Sequence, residues 1–232
     1  MEEIHPQTEL REEILKVITL KSNLKQKVFD TTFTSFNLLK DTLFEMASEI
    51  DDQLEGKLDR RVRLEYRDRG KFEAQLQVAN DTLIFQMQTD VFQFDLEHAI
   101  WKNEFVAGDS TKCYCGVVNI YNFLADSFKF NRNADEGYLI GRIFINADRY
   151  YFVEGKRQEG VKADKFGTAL LDRMALVEVL ESAIYYSINF DLLVPPFELN
   201  HRVKIDQFNT KMDNSKFETG KRLGFNYSAK NI

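Results

Sequence analysis

The hydrophobic period of the chain changes near Gly56. Before this residue, apolar side chains recur every three or four positions, as they do along one face of an amphipathic helix. After it, they alternate with charged or amide residues, which is typical of a strand with one buried face. The helical pattern consists of Phe29, Phe33, Phe36, Leu39, Leu43, Met46, Ile50 and Leu54, and the alternating pattern of Val62, Leu64, Tyr66, Phe72, Ala74, Leu76 and Val78. The change predicts an α+β protein whose helical part precedes an antiparallel sheet.

The region before Gly56 predicts a long N-terminal helix or a helical hairpin. No proline or glycine occurs between Thr8 and Leu54. A first apolar stripe precedes the one described above and consists of Leu10, Ile14, Val17, Leu24 and Val28. Threonine and serine, which are mediocre helix formers, are concentrated between the two stripes at residues 31–35. Two helices and one long helix with a kink both fit this pattern.

The N-terminal segment, residues 1–56, also predicts self-association. Its apolar spacing is close to 3.5 residues, which is compatible with a coiled coil. A single amphipathic helix packed on its own sheet is the alternative. We favour a helical pair or a self-associating helix, and hence a homo-oligomer, because forty-odd unbroken helical residues exceed what a small sheet covers.

Residues 57–197 predict an antiparallel sheet of about five to seven strands, closed by a C-terminal helix. Gly70 marks the turn of a first hairpin, and Thr89 and Asp90 mark a bulge or turn that breaks the third strand. The predicted strands are 59–68, 71–78, 82–95, 112–121, 138–145 and 149–154. Apolar positions from Phe166 to Ile188 predict the helix, with a broad face that includes Leu170, Leu171, Met174, Val177, Leu180 and Ile184. Residues 198–232 read as a basic, polar, extended tail.

Composition and charge favour an ordered globular protein over a disordered, nucleic-acid-binding or membrane-spanning one. The 232 residues are 44% hydrophobic and 13% aromatic, which is sufficient for a packed core. The net charge of -6 disfavours bulk nucleic-acid binding, because such binding depends on neutralising many phosphates. The N-terminus is acidic, and no apolar run approaches the roughly 18 residues that a membrane span needs. We therefore expect a cytoplasmic protein that does not bind membranes.

The sequence offers no motif for catalysis or for a cofactor. Cys113 and Cys115 are two thiols, whereas a structural zinc site needs four ligands, and the three histidines are scattered along the chain. We expect both thiols to be reduced and buried. Neither cysteine has a histidine nearby in sequence, and no serine lies in a Gly-x-Ser-x-Gly frame. We assign no catalytic residue, no metal and no cofactor, and we lean against an enzyme.

Arginines on the predicted sheet are the main candidates for binding. Arg61, Arg63 and Arg67 share one face of the first strand, where guanidinium groups could bind phosphates or carboxylates. Glu65, Asp68 and Glu73 are close enough in sequence to pair with them instead. In the later hairpin, Tyr150, Tyr151 and Phe152 lie next to charged residues that include Arg157. These rings are either a stacking platform for a ligand or, as we favour, core on one face with an exposed tyrosine on the other. The full set of candidate binding residues is Arg61, Arg63, Arg67, Arg142, Tyr151 and Arg157.

These observations favour a non-catalytic intracellular interaction or regulatory module that forms homodimers through its N-terminal helices. Its sheet, or the cleft between sheet and C-terminal helix, would contact a partner protein or a small ligand. The first alternative is an enzyme or sensor domain that binds an anionic small molecule through the sheet arginines. The second is RNA binding through the face that carries arginines and aromatic residues. The acidic net charge makes nucleic acid the least favoured partner.

Overall fold

A computed structural model describes residues 6–57, 59, 62, 64–133, 135–155 and 157–190, and it has the α+β architecture predicted from the sequence. Its strands are β1 (Leu64–Asp68), β2 (Glu73–Val78), β3 (Asp81–Met87), β4 (Cys115–Leu124), β5 (Tyr138–Asn146) and β6 (Tyr151–Gly155). Its helices are α1 (Pro6–Val17), α2 (Asn23–Leu54), α3 (Glu104–Ala107), α4 (Ala125–Lys129) and α5 (Arg173–Ile188). The other described elements are a π-helical segment (Ile18–Ser22) and short 3-10 turns at Ala99–Lys102, Ser110–Cys113 and Ala163–Lys165.

The six strands form one antiparallel sheet whose spatial order is the same as their order in the chain. Each strand therefore pairs with its sequence neighbours, and β3 and β4 are joined by the longest connection. The predicted break in the third strand is confirmed, since β3 ends at Met87 and residues 89 and 90 form a bend. Beyond that bend, only an isolated bridge between Phe92 and Cys115 continues the pairing.

The N-terminal helix is one continuous run and not a hairpin. α1 leads into a π-helical segment (Ile18–Ser22), and α2 follows without interruption. The Thr/Ser-rich segment does not break α2, and its hydroxyl groups all find hydrogen-bond acceptors. Thr32 Oγ1 donates to the Val28 carbonyl at 2.7 Å, and Thr34 and Ser35 donate in the same way to the carbonyls of Asp30 and Thr31. The Thr31 hydroxyl instead donates to the Ala147 carbonyl. The irregularity in the helix lies instead in the π-helical segment.

The main core lies between one face of the sheet and the two long helices. α2 contributes the apolar stripe predicted from the sequence, with Phe36, Leu39 and Leu43 almost fully buried. α5 packs beside α2 and contributes Leu176, Val179, Leu180, Ala183 and Ile184. The strands supply alternate apolar residues from Ala74 on β2 to Val153 on β6. Helix and sheet therefore share one core, as their hydrophobic periods require.

A smaller core lies on the opposite face of the sheet. The 3-10 turns and α3 pack against the beginning of β4 and against β5 and β6. The buried residues of this smaller core are Ile100, Val106, Cys113, Cys115, Val117, Phe144, Phe152 and Phe166. Both cysteines are buried and unpaired, as expected. Burial raises the pKa of both thiols, and that of Cys115 most strongly. Both thiols are consequently poor nucleophiles.

The C-terminal helix begins later than the sequence predicted. Asp172 caps α5 by accepting the backbone N–H of Ala175 at 2.9 Å, so the segment from residue 166 to 171 is not helical. Met174 was expected on the apolar face but is 76% exposed. The buried face of α5 includes Leu180 and Ile184, as predicted, together with Leu176, Val179 and Ala183, but not Met174. The predicted tail, residues 198–232, lies outside the described residues.

Candidate functional site

The first part of the N-terminal helix carries apolar side chains that the domain does not bury. Every residue from 9 to 23 is exposed. We use the name N-terminal apolar surface for the large side chains in this segment that are between 48% and 63% exposed: Leu10, Ile14, Leu15, Val17, Ile18 and Leu20. Single exposed apolar residues are common on protein surfaces, whereas six of them within residues 10–20 make this segment a candidate interaction site.

The helix joins the domain close to Lys27. Lys27 Nζ lies 2.9 Å from one carboxylate oxygen of Asp148, and Lys112 Nζ lies 2.6 Å from the other. The hydrogen bonds from Lys112 and Lys27 lower the pKa of Asp148. Val28, the next residue of α2, is completely buried. Earlier in the helix, Lys21 Nζ lies over the Tyr114 ring, 5.9 Å from its centroid. The part of the helix before Lys21, residues 6–20, therefore precedes these contacts and measures about 22 Å along its axis.

Charges are unevenly distributed along this segment. The acidic residues Glu9, Glu12 and Glu13 lie in α1, whereas from Lys16 to Lys27 every charged residue is basic. Arg11 is the exception in the acidic half. One helix therefore presents a negative half followed by a positive half along its N-terminal apolar surface.

Arg67, the candidate arginine of the first strand that the structure describes, forms an ion pair with a neighbouring acid. Arg67 donates from Nε and Nη2 to the two carboxylate oxygens of Glu65, each at 3.1 Å, and this raises the pKa of Arg67 further. Arg69 pairs with Glu73, and Lys40 of α2 lies 2.7 Å from Asp68. Arg61 and Arg63 lie outside the described residues. The described basic residues of this strand are thus neutralised locally.

Arg142 belongs to a different cluster, which is centred on Glu154. The β5–β6 register places these two residues opposite each other, and Arg142 Nη2 lies 2.9 Å from Glu154 Oε2. The other carboxylate oxygen of Glu154 is 3.1 Å from His98 Nε2. Because His98 Nδ1 accepts the backbone N–H of Ile100, the neutral ring carries its proton on Nε2 and donates to Glu154. The Arg142 guanidinium also lies over the Phe144 ring, 5.5 Å from its centroid.

A cavity of about 350 Å³ adjoins this cluster, where β6 ends and β5 continues. It is lined by Leu139, Ile140, Gly141, Arg142, Glu154, Gly155 and Tyr186. Of the candidate residues that the structure describes, Arg142 alone lines it. Arg157 is exposed and acts on Tyr186 through its charge, lowering a pKa that burial raises. Tyr151 is 2% exposed and lies in the main core, so the stacking platform that included it is wrong.

Sequence reasoning missed His98, Glu154 and Tyr186 as neighbours of Arg142. The partnership of Arg142 and Glu154 was within reach, because the predicted hairpin with its turn near residue 147 opposes these two positions. His98 reaches Glu154 from a separate loop, 56 residues earlier in the chain. No local pattern in the sequence signals a contact of that kind.

Comparison of the chain with protein-family models, with curated proteins and with solved structures yields no match. Among the residues that the structure describes, no group of three or more His, Cys, Asp or Glu side chains is placed to hold a metal ion. The described helices also include none with the length and apolar character needed to cross a membrane. The arguments that follow therefore rest on the geometry of the N-terminal helix and of the Arg142 cluster.

Proposed function

We propose that this protein is a non-catalytic interaction module that self-associates through its N-terminal apolar surface. The observation that carries the proposal is a helical segment with six large exposed apolar side chains and no buried residue between positions 9 and 23. Hydrophobic burial is the main driving force of protein association, and this segment has no such burial within its own domain. An amphipathic helix gains stability mainly by packing its apolar face, so a partner would complete it.

A second copy of the same chain is the partner that the charges fit. The acidic half of the helix complements the basic half of another copy, which supplies the selectivity that apolar contacts lack. A partner with a purely apolar surface would offer no positive charge to the three glutamates of α1. Self-association thus matches both the apolar and the charged side chains of this segment.

The cavity beside Arg142 supports a second candidate function, the binding of a small charged molecule. Glu154 engages one terminal nitrogen of Arg142 and also faces the cavity, where it would repel a purely anionic ligand. A ligand with both an amino and a carboxylate group suits the pair better. Native mass spectrometry of the purified protein tests this candidate, since a retained ligand would add mass that denaturation removes.

Two further hypotheses, RNA binding through the sheet and a cytoplasmic location, are less favoured. RNA binding through the sheet predicts an affinity that falls steeply with salt concentration, and a filter-binding assay with single-stranded RNA tests it. The cytoplasmic location is motivated by two thiols that are buried and unpaired, as is usual in a reducing compartment.

The main proposal is tested by sedimentation velocity of the full-length protein and of two variants. The wild type is expected to be a dimer, and the double variant Ile14→Glu/Val17→Glu a monomer, because charged side chains at the interface would lose their water. The control is Leu96→Glu, which adds a charge at an apolar residue that is 82% exposed and outside the helix. This control is expected to remain a dimer.

A monomeric wild type would overturn the proposal, as would a dimer that the double variant leaves intact. Circular dichroism of both variants checks that the helices are still formed. If the monomeric wild type instead bound lipid vesicles, the N-terminal apolar surface would be a membrane-surface helix, and self-association would be wrong.

A further inference from the structure

We infer that the cavity beside Arg142 is a binding site for a free amino acid with an aromatic side chain. This inference rests on the second candidate function, the binding of a small charged molecule, and names the class of that molecule. The cavity is lined by one pair of opposite charges, Arg142 and Glu154, and by the apolar surface of Leu139, Ile140 and Tyr186. A free amino acid has the same two features, an adjacent pair of opposite charges and a side chain.

The end of the β5–β6 hairpin separates the charged residues from the apolar ones. Gly141 of β5 is opposite Gly155 of β6, and these two residues contribute only backbone to the lining of the cavity. A side chain at Gly155 would collide with the Ile140 carbonyl oxygen, and its φ of +147° favours glycine. Leu139, three residues before Arg142 on β5, is about 10 Å from it along the strand. The cavity is therefore long enough for one amino acid, with its charges at Arg142 and its side chain near Leu139.

Arg142 retains N–H groups for an incoming carboxylate. Its Nη2 atom lies 2.9 Å from Glu154 Oε2, whereas the other oxygen of Glu154 is 3.1 Å from His98 Nε2. A glutamate that accepts with both oxygens occupies two nitrogens of an arginine, as Glu65 does with Nε and Nη2 of Arg67. Glu154 occupies one, and no other described acidic residue forms an ion pair with Arg142. The guanidinium, which is 45% exposed, can therefore bind a carboxylate through its remaining N–H groups.

Glu154 restricts the charge of the ligand. Each of its carboxylate oxygens has a further lone pair that can accept a hydrogen bond from an ammonium group. A ligand with two carboxylates would place negative charge next to Glu154, and one with two amino groups would place positive charge next to Arg142. An amino acid avoids both, because its ammonium group can approach Glu154 while its carboxylate approaches Arg142. His98 donates to Glu154 and so fixes the orientation of this carboxylate.

The apolar surface favours a large, flat side chain. Leu139 is 43% exposed, and Ile140 and Tyr186 line the same cavity. The ring of Tyr186 stacks on that of Phe190, with 6.2 Å between the centroids and 28° between the planes. A ligand ring packed on Tyr186 would extend this stack. The volume of about 350 Å³ is near the lower limit of small-molecule sites, roughly 300–1,000 Å³, and this suits a single amino acid.

Isothermal titration calorimetry of the full-length protein with four compounds tests the class of ligand. L-Phenylalanine carries both charges and a ring, and glycine carries both charges without a side chain. 3-Phenylpropionate lacks the ammonium group. L-Phenylalaninamide lacks the carboxylate charge and resembles the first residue of a peptide. We expect L-phenylalanine to bind and the other three compounds to bind at least about tenfold more weakly, because each loses a charge-assisted hydrogen bond or the burial of the ring.

Variants of the lining residues test the role of each group. Arg142→Gln and Glu154→Gln should each weaken the binding of L-phenylalanine at least about tenfold, because each removes a charge that pairs with the ligand. Tyr186→Leu keeps an apolar side chain and should weaken the binding of L-phenylalanine more than that of L-leucine. The control is Arg67→Gln, which removes another strand arginine that is paired with a glutamate but does not line the cavity. Its affinity should equal that of the wild type, and thermal unfolding of every variant checks that the domain is folded.

If L-phenylalaninamide or 3-phenylpropionate bound as tightly as L-phenylalanine, one charge would suffice and the amino-acid assignment would be wrong. Equal affinity for glycine would exclude the aromatic class, and an unchanged affinity in Arg142→Gln would place the ligand outside this cavity. If none of the four compounds bound, this inference would fail, whereas a different molecule retained in native mass spectrometry would still support the second candidate function. Self-association is measured separately by sedimentation velocity and does not depend on these results.

Discussion

Gly116 of β4 packs directly against Thr32 of α2, and the contact leaves no room for a side chain on the glycine. A methyl group at this position would lie 2.7 Å from the Thr32 Cγ2 atom and 2.8 Å from its Cβ atom. Thr32 is completely buried, and its hydroxyl is held by the Val28 carbonyl. The contact therefore sets how closely the helix approaches the central strands of the sheet.

Gly116→Ala is expected to lower the free energy of unfolding by about 1–3 kcal/mol, because the added methyl group forces α2 away from the sheet. Urea denaturation followed by circular dichroism measures the change. In the double variant Gly116→Ala/Thr32→Ala the neighbouring side chain is smaller, so the loss should be less than the sum of the two single losses. Strictly additive losses would show that the contact does not limit the approach of the helix.

Asp148→Asn is expected to destabilise the protein by about 1 kcal/mol at neutral pH, because it removes the carboxylate that both Lys27 and Lys112 contact. The pKa of Asp148 is lowered in the folded protein. Its contribution is therefore fully present above the ordinary aspartate pKa near 4 and declines as the pH falls through the lower native value. Urea titrations from pH 7 to pH 2 should show wild type and variant converging at the acid end. A difference that stays constant over this range would contradict the assignment.

The two cysteines are expected to be protected from thiol reagents in the native protein. Both are buried, and burial raises the pKa of each thiol, so little thiolate is present at neutral pH. With Ellman's reagent, reaction should be slow in buffer and rapid for both thiols in guanidinium chloride. A fast phase in the native protein would show that the smaller core opens locally.

Deletion of residues 1–22 is expected to leave the folded domain intact while abolishing self-association. No described side chain between positions 9 and 22 is buried, so the free energy of unfolding at low protein concentration should change by less than about 1 kcal/mol. Deletion of residues 1–56 should instead prevent folding, because it also removes Val28, Phe36, Leu39 and Leu43 from the core. Urea denaturation and sedimentation velocity of the shorter deletion measure the two effects separately.

The sequence was sufficient to predict the architecture because hydrophobic period and burial are directly linked. The stripe from Phe29 to Leu54 is long and regular, and in the structure its middle residues are buried and its end residues half-buried. The alternation from Leu64 to Val78 likewise became the first hairpin of the sheet. The start of α5 was missed because it depends on the capping side chain of Asp172, which a periodic pattern does not reveal.

The candidate site was harder to predict, because it depends on what each side chain contacts. Leu10 and Leu43 look equivalent in the sequence, yet one is 60% exposed and the other is fully buried. The difference arises because the sheet covers only the later part of the helix. For similar reasons, the surroundings of Arg142 could not be inferred in full, since His98 comes from a distant loop. A tyrosine next to charged residues, Tyr151, proved to be a core residue.

The order of the strands has a consequence for how the chain folds. Because every strand pairs with its neighbour in sequence, each pairing closes only a short loop, with β3 and β4 as the exception. The meander can therefore assemble progressively as the polypeptide leaves the ribosome. The contact of α2 with α5 joins segments more than a hundred residues apart and waits until the last helix has been synthesised. Until then, the apolar side chains of α2 and of the sheet that α5 will cover remain exposed. The nascent chain is most prone to aggregate during this period.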